Sequence, residues 1–111
     1  MQISERTVDG VTVITLQGDF DATTAPTVER RLHALIKEGQ HRLVVDLSGV
    51  AYIASAGLRV LLAALKAARN SGGDLRLVGL QRAVKEVFDM AGFTPLFKVY
   101  ADVEAAMGSF R

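Results

Sequence analysis

From Gly18 onward the sequence alternates between two hydrophobic periods, and that alternation limits the folds open to it more than any other feature. Leu43-Val44-Val45 is a continuous apolar run, the mark of a strand covered on both faces. Ahead of it, Ala25, Val28, Leu32, Leu35 and Ile36 recur at helical spacing; Thr24 is placed to cap that helix, Pro26 falls in its first turn, and Glu38-Gly39 closes it. Behind it, Leu58, Leu61, Leu62 and Leu65 form a second helical stripe, stopped by Ser71-Gly72-Gly73. Leu75-Arg76-Leu77-Val78 reads as a short strand. Val84, Val87, Phe88 and Ala91 make a third stripe, stopped by Gly92. Leu96 to Tyr100 is predicted as the last strand, and Asp102 caps a terminal helix through Val103, Ala106 and Met107. Two strands precede all this: Ile3 to Val8 and Val11 to Leu16, joined by the hairpin dipeptide Asp9-Gly10. The order is β-β-α-β-α-β-α-β-α. It predicts an α/β fold with a mixed, mostly parallel sheet, an antiparallel edge from the N-terminal β-hairpin, and four helices. At 111 residues, without a linker or low-complexity segment, residues 1–111 read as a single domain.

Composition removes several function classes. Lys plus Arg number 13 and Asp plus Glu 12, a balance that exerts no strong pull toward nucleic acid or an anionic membrane. There is no cysteine, hence no disulfide, thiol nucleophile or thiolate metal site, and His33 and His41 are the only histidines. Mean hydropathy is +0.25, yet the longest apolar stretch of the second helix, Val60 to Leu65, lies between Arg59 and Lys66, far short of the roughly 20 residues a spanning helix needs. Met1-Gln2-Ile3-Ser4-Glu5-Arg6 has no apolar core of the signal-peptide kind. The expectation is a soluble, cytoplasmic protein whose surplus hydrophobicity serves its core or a partner-binding face.

Chemistry concentrates in Asp46-Leu47-Ser48-Gly49-Val50-Ala51-Tyr52-Ile53-Ala54-Ser55-Ala56-Gly57-Leu58, which leads from the buried strand into the leucine-rich helix. Ser55 falls where that helix begins. Free N–H groups and a positive partial charge there favour a phosphate; the plainer alternative is an ordinary serine N-cap. Gly18-Asp19-Phe20-Asp21 is a second cluster. A right-handed crossover between the second and third strands brings their following loops to one sheet edge, with Asp19 or Asp21 near Ser55. Carboxylates at that edge could bind a metal or repel a phosphate, while Asp is also an ordinary turn residue. Catalysis by Ser55 would require a base, and neither His33 nor His41 is well placed. No phosphate-binding loop is present, and no catalytic or metal-ligating set emerges. Arg59, Ala63, Lys66 and Asn70 mark the outer face of the second helix, kept low by Ala63 and Ala67.

In this order and spacing the residues resemble the STAS domain, specifically the bacterial anti-sigma factor antagonists. Gly18-Asp19-Phe20-Asp21 resembles that family's Gly-x-(Leu or Phe)-Asp, and Asp46-Leu47-Ser48-Gly49-Val50 resembles its strand-end motif. Ile53-Ala54-Ser55-Ala56-Gly57-Leu58 resembles its Asp-Ser-Ser-Gly-Leu segment, and Gly92-Phe93 with Leu96-Phe97 resembles its tail. The resemblance implies a non-enzymatic switch in which Ser55 is the phosphoacceptor of an anti-sigma factor that is itself a serine kinase. The unphosphorylated antagonist binds that anti-sigma factor and frees a sigma factor for transcription; a metal-dependent serine phosphatase of the PPM type resets it. Asp21, Ala54, Ala56, Gly57, Leu58 and Arg59 are the implied partner-binding residues, with Ala54, Ala56, Gly57 and Leu58 forming a flat apolar patch around one hydroxyl. No cofactor is implied. Ala54 stands where many members carry Asp, and Ala56 where many carry a second Ser. Should the kinase not recognise this loop, the protein would be a constitutive binder. An alternative within the fold is a sensing or scaffold module that binds a nucleotide in the loops around Asp21 and Ser55.

Overall fold

The computed structural model describes residues 1–111 as β1 (Gln2–Val8), β2 (Val11–Gln17), α1 (Ala25–Lys37), β3 (Arg42–Gly49), α2 (Ser55–Asn70), β4 (Asp74–Val78), α3 (Arg82–Met90), a 3-10 turn (Thr94–Leu96), β5 (Val99–Tyr100) and α4 (Val103–Gly108). Asp9 and Gly10 both adopt positive φ, 53° and 79°, the turn that matches the twist of a two-residue hairpin and sets Val8 opposite Val11. From β2 onward every pairing is parallel, and the spatial order is β1-β2-β3-β4-β5. Each parallel strand lies beside its predecessor, so crossovers of one hand place α1, α2 and α3 on the same face of the sheet. The pleat then sorts Leu43-Val44-Val45 as the apolar run requires. Leu43 and Val45 enter a cluster of 23 buried residues under α1, α2 and α3, and Val44 enters a cluster of 6 on the opposite face under α4. No helix is long and apolar enough to cross a membrane.

Three local expectations are corrected. The last strand is Val99–Tyr100 alone, because Pro95 belongs to the 3-10 turn and Phe97 points into the core, edge-on to Phe88 with ring centroids 5.7 Å apart. Thr24 occupies the N-cap position of α1, but its side chain does not cap the helix: its hydroxyl donates to the Asp19 carbonyl (2.8 Å) and accepts from the Asp21 N–H (3.0 Å), while Asp21 Oδ1 accepts from the N–H groups of Thr23 (3.0 Å) and Thr24 (3.2 Å). The Asx turn at Asp21 thus orders the loop that leads into the helix. Ala91 lies beyond the end of α3 and is exposed, leaving Val84 and Phe88 as that helix's buried pair.

One buried carboxylate had no signal in the hydrophobic pattern. Asp74, the first residue of β4, is paired with Arg69 Nε (2.9 Å) and Arg76 Nε (3.0 Å). Arg76 also donates to Ser109 Oγ (2.6 Å) and lies 3.9 Å over the Phe110 ring, so the pair couples β4 to the C-terminal segment. Burial alone pushes the Asp74 carboxyl up, but hydrogen bonds from Arg76 and Arg69, the Arg69 charge and the Leu75 N–H together hold it below its ordinary value.

The C-terminal ends of β2 and β3 carry the loops that position α2. Phe20 forms an isolated parallel bridge with Ile53 and has no exposed surface, and Gly57 packs against both residues. A Cβ on Gly57 would lie 2.9 Å from Ile53 Cγ1, Phe20 Cγ and the Phe20 carbonyl oxygen. The carbonyl is backbone, so relief requires moving the loop. Gly57→Val is therefore expected to cost about 2–3 kcal/mol or more in urea unfolding, against about 0.5 kcal/mol or less for the exposed Arg59→Ala; equal effects would refute this packing. Asp74→Asn is expected to cost about 2–3 kcal/mol at pH 7, since it strands the half-buried Arg76. Because the folded-state carboxyl titrates below its unfolded value of about 3.9, its contribution is full above that pH and fades as acid approaches the folded pKa. The gap between wild type and Asp74→Asn should therefore narrow as the pH falls below about 4 in the same unfolding assay.

Candidate functional site

Parallel pairing of β2 with β3 sends both following loops to the same sheet edge, and the backbone then joins them. The Phe20 N–H donates to the Tyr52 carbonyl (2.9 Å) and the Ala54 N–H donates to the Phe20 carbonyl (2.9 Å). The Asp19–Asp21 segment and the Tyr52–Ser55 segment are thus held side by side, as the crossover argument required. Asp19 is exposed, and the half-buried Asp21 spends Oδ1 on its own turn.

Ser55 is the first residue of α2, not its cap. Ala54 occupies the cap position with extended backbone (φ −101°, ψ 171°) and has no side-chain oxygen to offer. The Gly57 and Leu58 N–H groups turn back to the Ala54 carbonyl, at 2.9 and 3.2 Å, while those of Ser55 and Ala56 meet no backbone acceptor. A 16-residue helix therefore begins with open donors and the positive end of its dipole, and the exposed Ser55 hydroxyl stands at that end. A covalent phosphate there would meet favourable charge and free N–H groups.

The surrounding surface is smaller than the apolar patch expected from the sequence. Ala54 and Ala56 are half-buried and Arg59 is exposed, but Gly57 and Leu58 are buried. Gly57 faces Phe20 and Ile53, and Leu58, 5% exposed, belongs to the large core cluster. Helical geometry explains Gly57, which lies two positions and about 200° around the helix from the exposed Ser55 and so faces the sheet, while Leu58 is drawn in by its contacts within the core cluster. A residue that the sequence did not single out joins the loop instead. Tyr52 is 53% exposed, and its one available signal was a large aromatic lying between Val50 and Ile53, both of which turn inward.

The histidines lie apart from this edge. His33 is exposed on α1 and lines the groove between α1 and α2. The His41 carbonyl accepts from the Asp74 N–H at the start of β4, the opposite end of the sheet. No three His, Asp or Glu side chains converge in the chain.

A family model for the STAS domain matches residues 2–106. The chain is 38% identical over 111 residues to a Bordetella bronchiseptica protein, BtrV, that is named for anti-sigma factor antagonism, covering all of this chain and 96% of that protein. It is 33% identical over 108 residues to the anti-sigma-B factor antagonist of Listeria monocytogenes, covering 96% of this chain and 92% of the relative. The crystal structure of an anti-sigma factor antagonist from Mycobacterium paratuberculosis superposes with a TM-score of 0.88 at 27% identity, covering 97% of this chain and 92% of that one. Matched along nearly its whole length in sequence and in fold, the chain belongs to the STAS domain family, among its anti-sigma factor antagonists.

Proposed function

We propose that this protein is a phosphorylation-switched anti-sigma factor antagonist with Ser55 as its phosphoacceptor. In the unphosphorylated state it binds an anti-sigma factor with serine kinase activity and so releases a sigma factor; phosphate on Ser55 ends the binding, and a PPM-type serine phosphatase restores it. The observation that carries this reading is the exposed Ser55 hydroxyl at an uncapped helix start, with small residues, Ala54 and Ala56, on either side. Those alanines let a kinase approach the hydroxyl and let a partner close over it. Asp21, Ala54, Ala56 and Arg59 supply the rest of the contact surface, and Gly57 and Leu58 act from beneath by fixing the loop.

The switch follows from where the charge is paid for. Phosphate brings nearly two negative charges, which the dipole and the open N–H groups of α2 accept without disturbing the fold. A partner seated on the same surface must strip water from that charge and has no dedicated group to meet it. A penalty of about 3 kcal/mol corresponds to roughly two orders of magnitude in affinity.

Incubation with the cognate kinase and ATP, followed by mass spectrometry, should find phosphate on Ser55. Ser48, whose N–H donates to Asp46 Oδ1 (2.9 Å), and Ser71, at the end of α2, should remain unmodified. By calorimetry, Ser55→Asp should bind the anti-sigma factor about tenfold or more weakly, with a thermal midpoint equal to or above that of wild type. Ser55→Ala should bind as wild type does. Unchanged affinity for Ser55→Asp would move the interface elsewhere and favour the sensing or scaffold reading.

A further inference from the structure

A groove of ≈ 370 Å³ runs between α1 and α2, floored by Leu32, Ile36, Val60, Ala63, Ala64 and Ala67. Glu29, Val60 and Ala63 also line its continuation toward Ala56, so the groove reaches the turn that carries Ser55. From Ala56 to Ala67 it extends about 16 Å, three helical turns at about 1.5 Å per residue. Its alanine floor lets a third helix approach near the short end of the roughly 8–10 Å range of packed helix axes.

The rims have a definite sign. Arg30 on α1 and Arg59 on α2 line the groove, and Lys37 and Lys66 follow them seven residues on, two turns along the same sides of those helices; all four are exposed, and none is ion-paired within the chain. Glu29 is the one carboxylate among the residues that line the groove. We propose that this groove docks an amphipathic helix of the anti-sigma factor, its apolar stripe lying on the alanines and its Asp or Glu flanks facing Arg30, Arg59 and Lys66. The proposal rests on the function proposed above and extends its interface from the Ser55 turn along the length of α2. A second copy of this chain is a poor occupant, since it would set basic rims against basic rims. An acyl chain is another, because the groove is open along one side and would leave the chain half in water.

The test uses two variants at exposed helical positions, where glutamate keeps the helix propensity: Ala63→Glu, and Arg30→Glu combined with Lys66→Glu. Affinity for the cognate anti-sigma factor is measured by calorimetry beside Ser55→Asp, with circular dichroism melts to verify folding. Each groove variant should bind about tenfold or more weakly at an unchanged melting temperature, and wild-type affinity should fall as salt rises from about 50 to about 500 mM. Wild-type affinity in both groove variants, with Ser55→Asp still impaired, overturns the groove proposal and leaves the switch standing. Loss in the groove variants with unchanged Ser55→Asp upholds the groove and overturns the switch. Concentration-dependent dimers of wild type in sedimentation that Ala63→Glu abolishes, or oleate binding that Ala63→Glu abolishes, overturn the proposal in favour of a second copy or an acyl chain.

Discussion

The geometry of the whole functional edge depends on how closely two loops can approach beneath the start of α2. Phe20 and Ile53 meet through a single bridge, and Gly57 lies over them at a distance that no side chain could occupy. That contact joins the end of β2 to the end of β3 and sets the angle at which α2 leaves the sheet. Everything on the edge inherits its position from there: the Asx turn of Asp21, the extended Ala54 in the cap position, and the exposed Ser55 hydroxyl. On the function proposed above, a serine held this way would need no conformational change to act as a switch. A phosphate on Ser55 would change what the surface offers a partner, while the structure under it is already complete.

The parts of the fold that follow from periodicity were legible in the sequence. The hairpin at Asp9-Gly10, the helical stripes of α1 and α2, and the doubly covered Leu43-Val44-Val45 strand are each written in a pattern of period 2 or 3.6, or in a turn that only certain residues permit. Right-handed crossovers then sufficed to bring Asp21 and Ser55 to one edge. What could not be read depends on contacts distant in the chain. Phe97 leaves the predicted final strand because Phe88 offers it an edge-on partner. Asp74 is buried because Arg69 and Arg76 converge on it from a helix and from its own strand. The inward aim of Leu58 and the outward aim of Tyr52 depend on where α2 begins, and boundaries are the weakest product of a sequence pattern. That the Thr24 hydroxyl turns back to Asp19 and Asp21 rather than toward α1 has the same origin, since only the path of the loop decides it.

Charge is distributed unevenly between the two kinds of work in this molecule. Two of the five acidic side chains that form ion pairs tie β-strands to helices or to the C-terminal segment: Glu5 with Arg31 across β1 and α1, and Asp74 with its two arginines. The hydrogen bond from Arg31 holds the Glu5 carboxyl below its ordinary range, with the charge of Arg31 acting in the same direction. Arg30, Arg59 and Lys66, by contrast, remain free on the α1–α2 side. A chain with a net formal charge of only +1 thereby keeps a basic surface beside Ser55 without being basic as a whole.

The two faces of the sheet differ greatly in how well they are covered. One carries three helices and a cluster of 23 buried residues; the other carries only the six-residue helix α4 over a cluster of 6, anchored by Asp102 at its start and by Arg76, Ser109 and Phe110 at its end. Burial this unequal produces a hierarchy of openings. Release of α4 is an easier excursion than disruption of the larger layer: it uncovers the valines Val11, Val13, Val44 and Val78 while the three-helix face, and with it the Ser55 edge, stays folded. Amide protons of α4 therefore exchange ahead of those in β2 and β3, and the uncovered strip of valines is where self-association would begin during prolonged storage or heating.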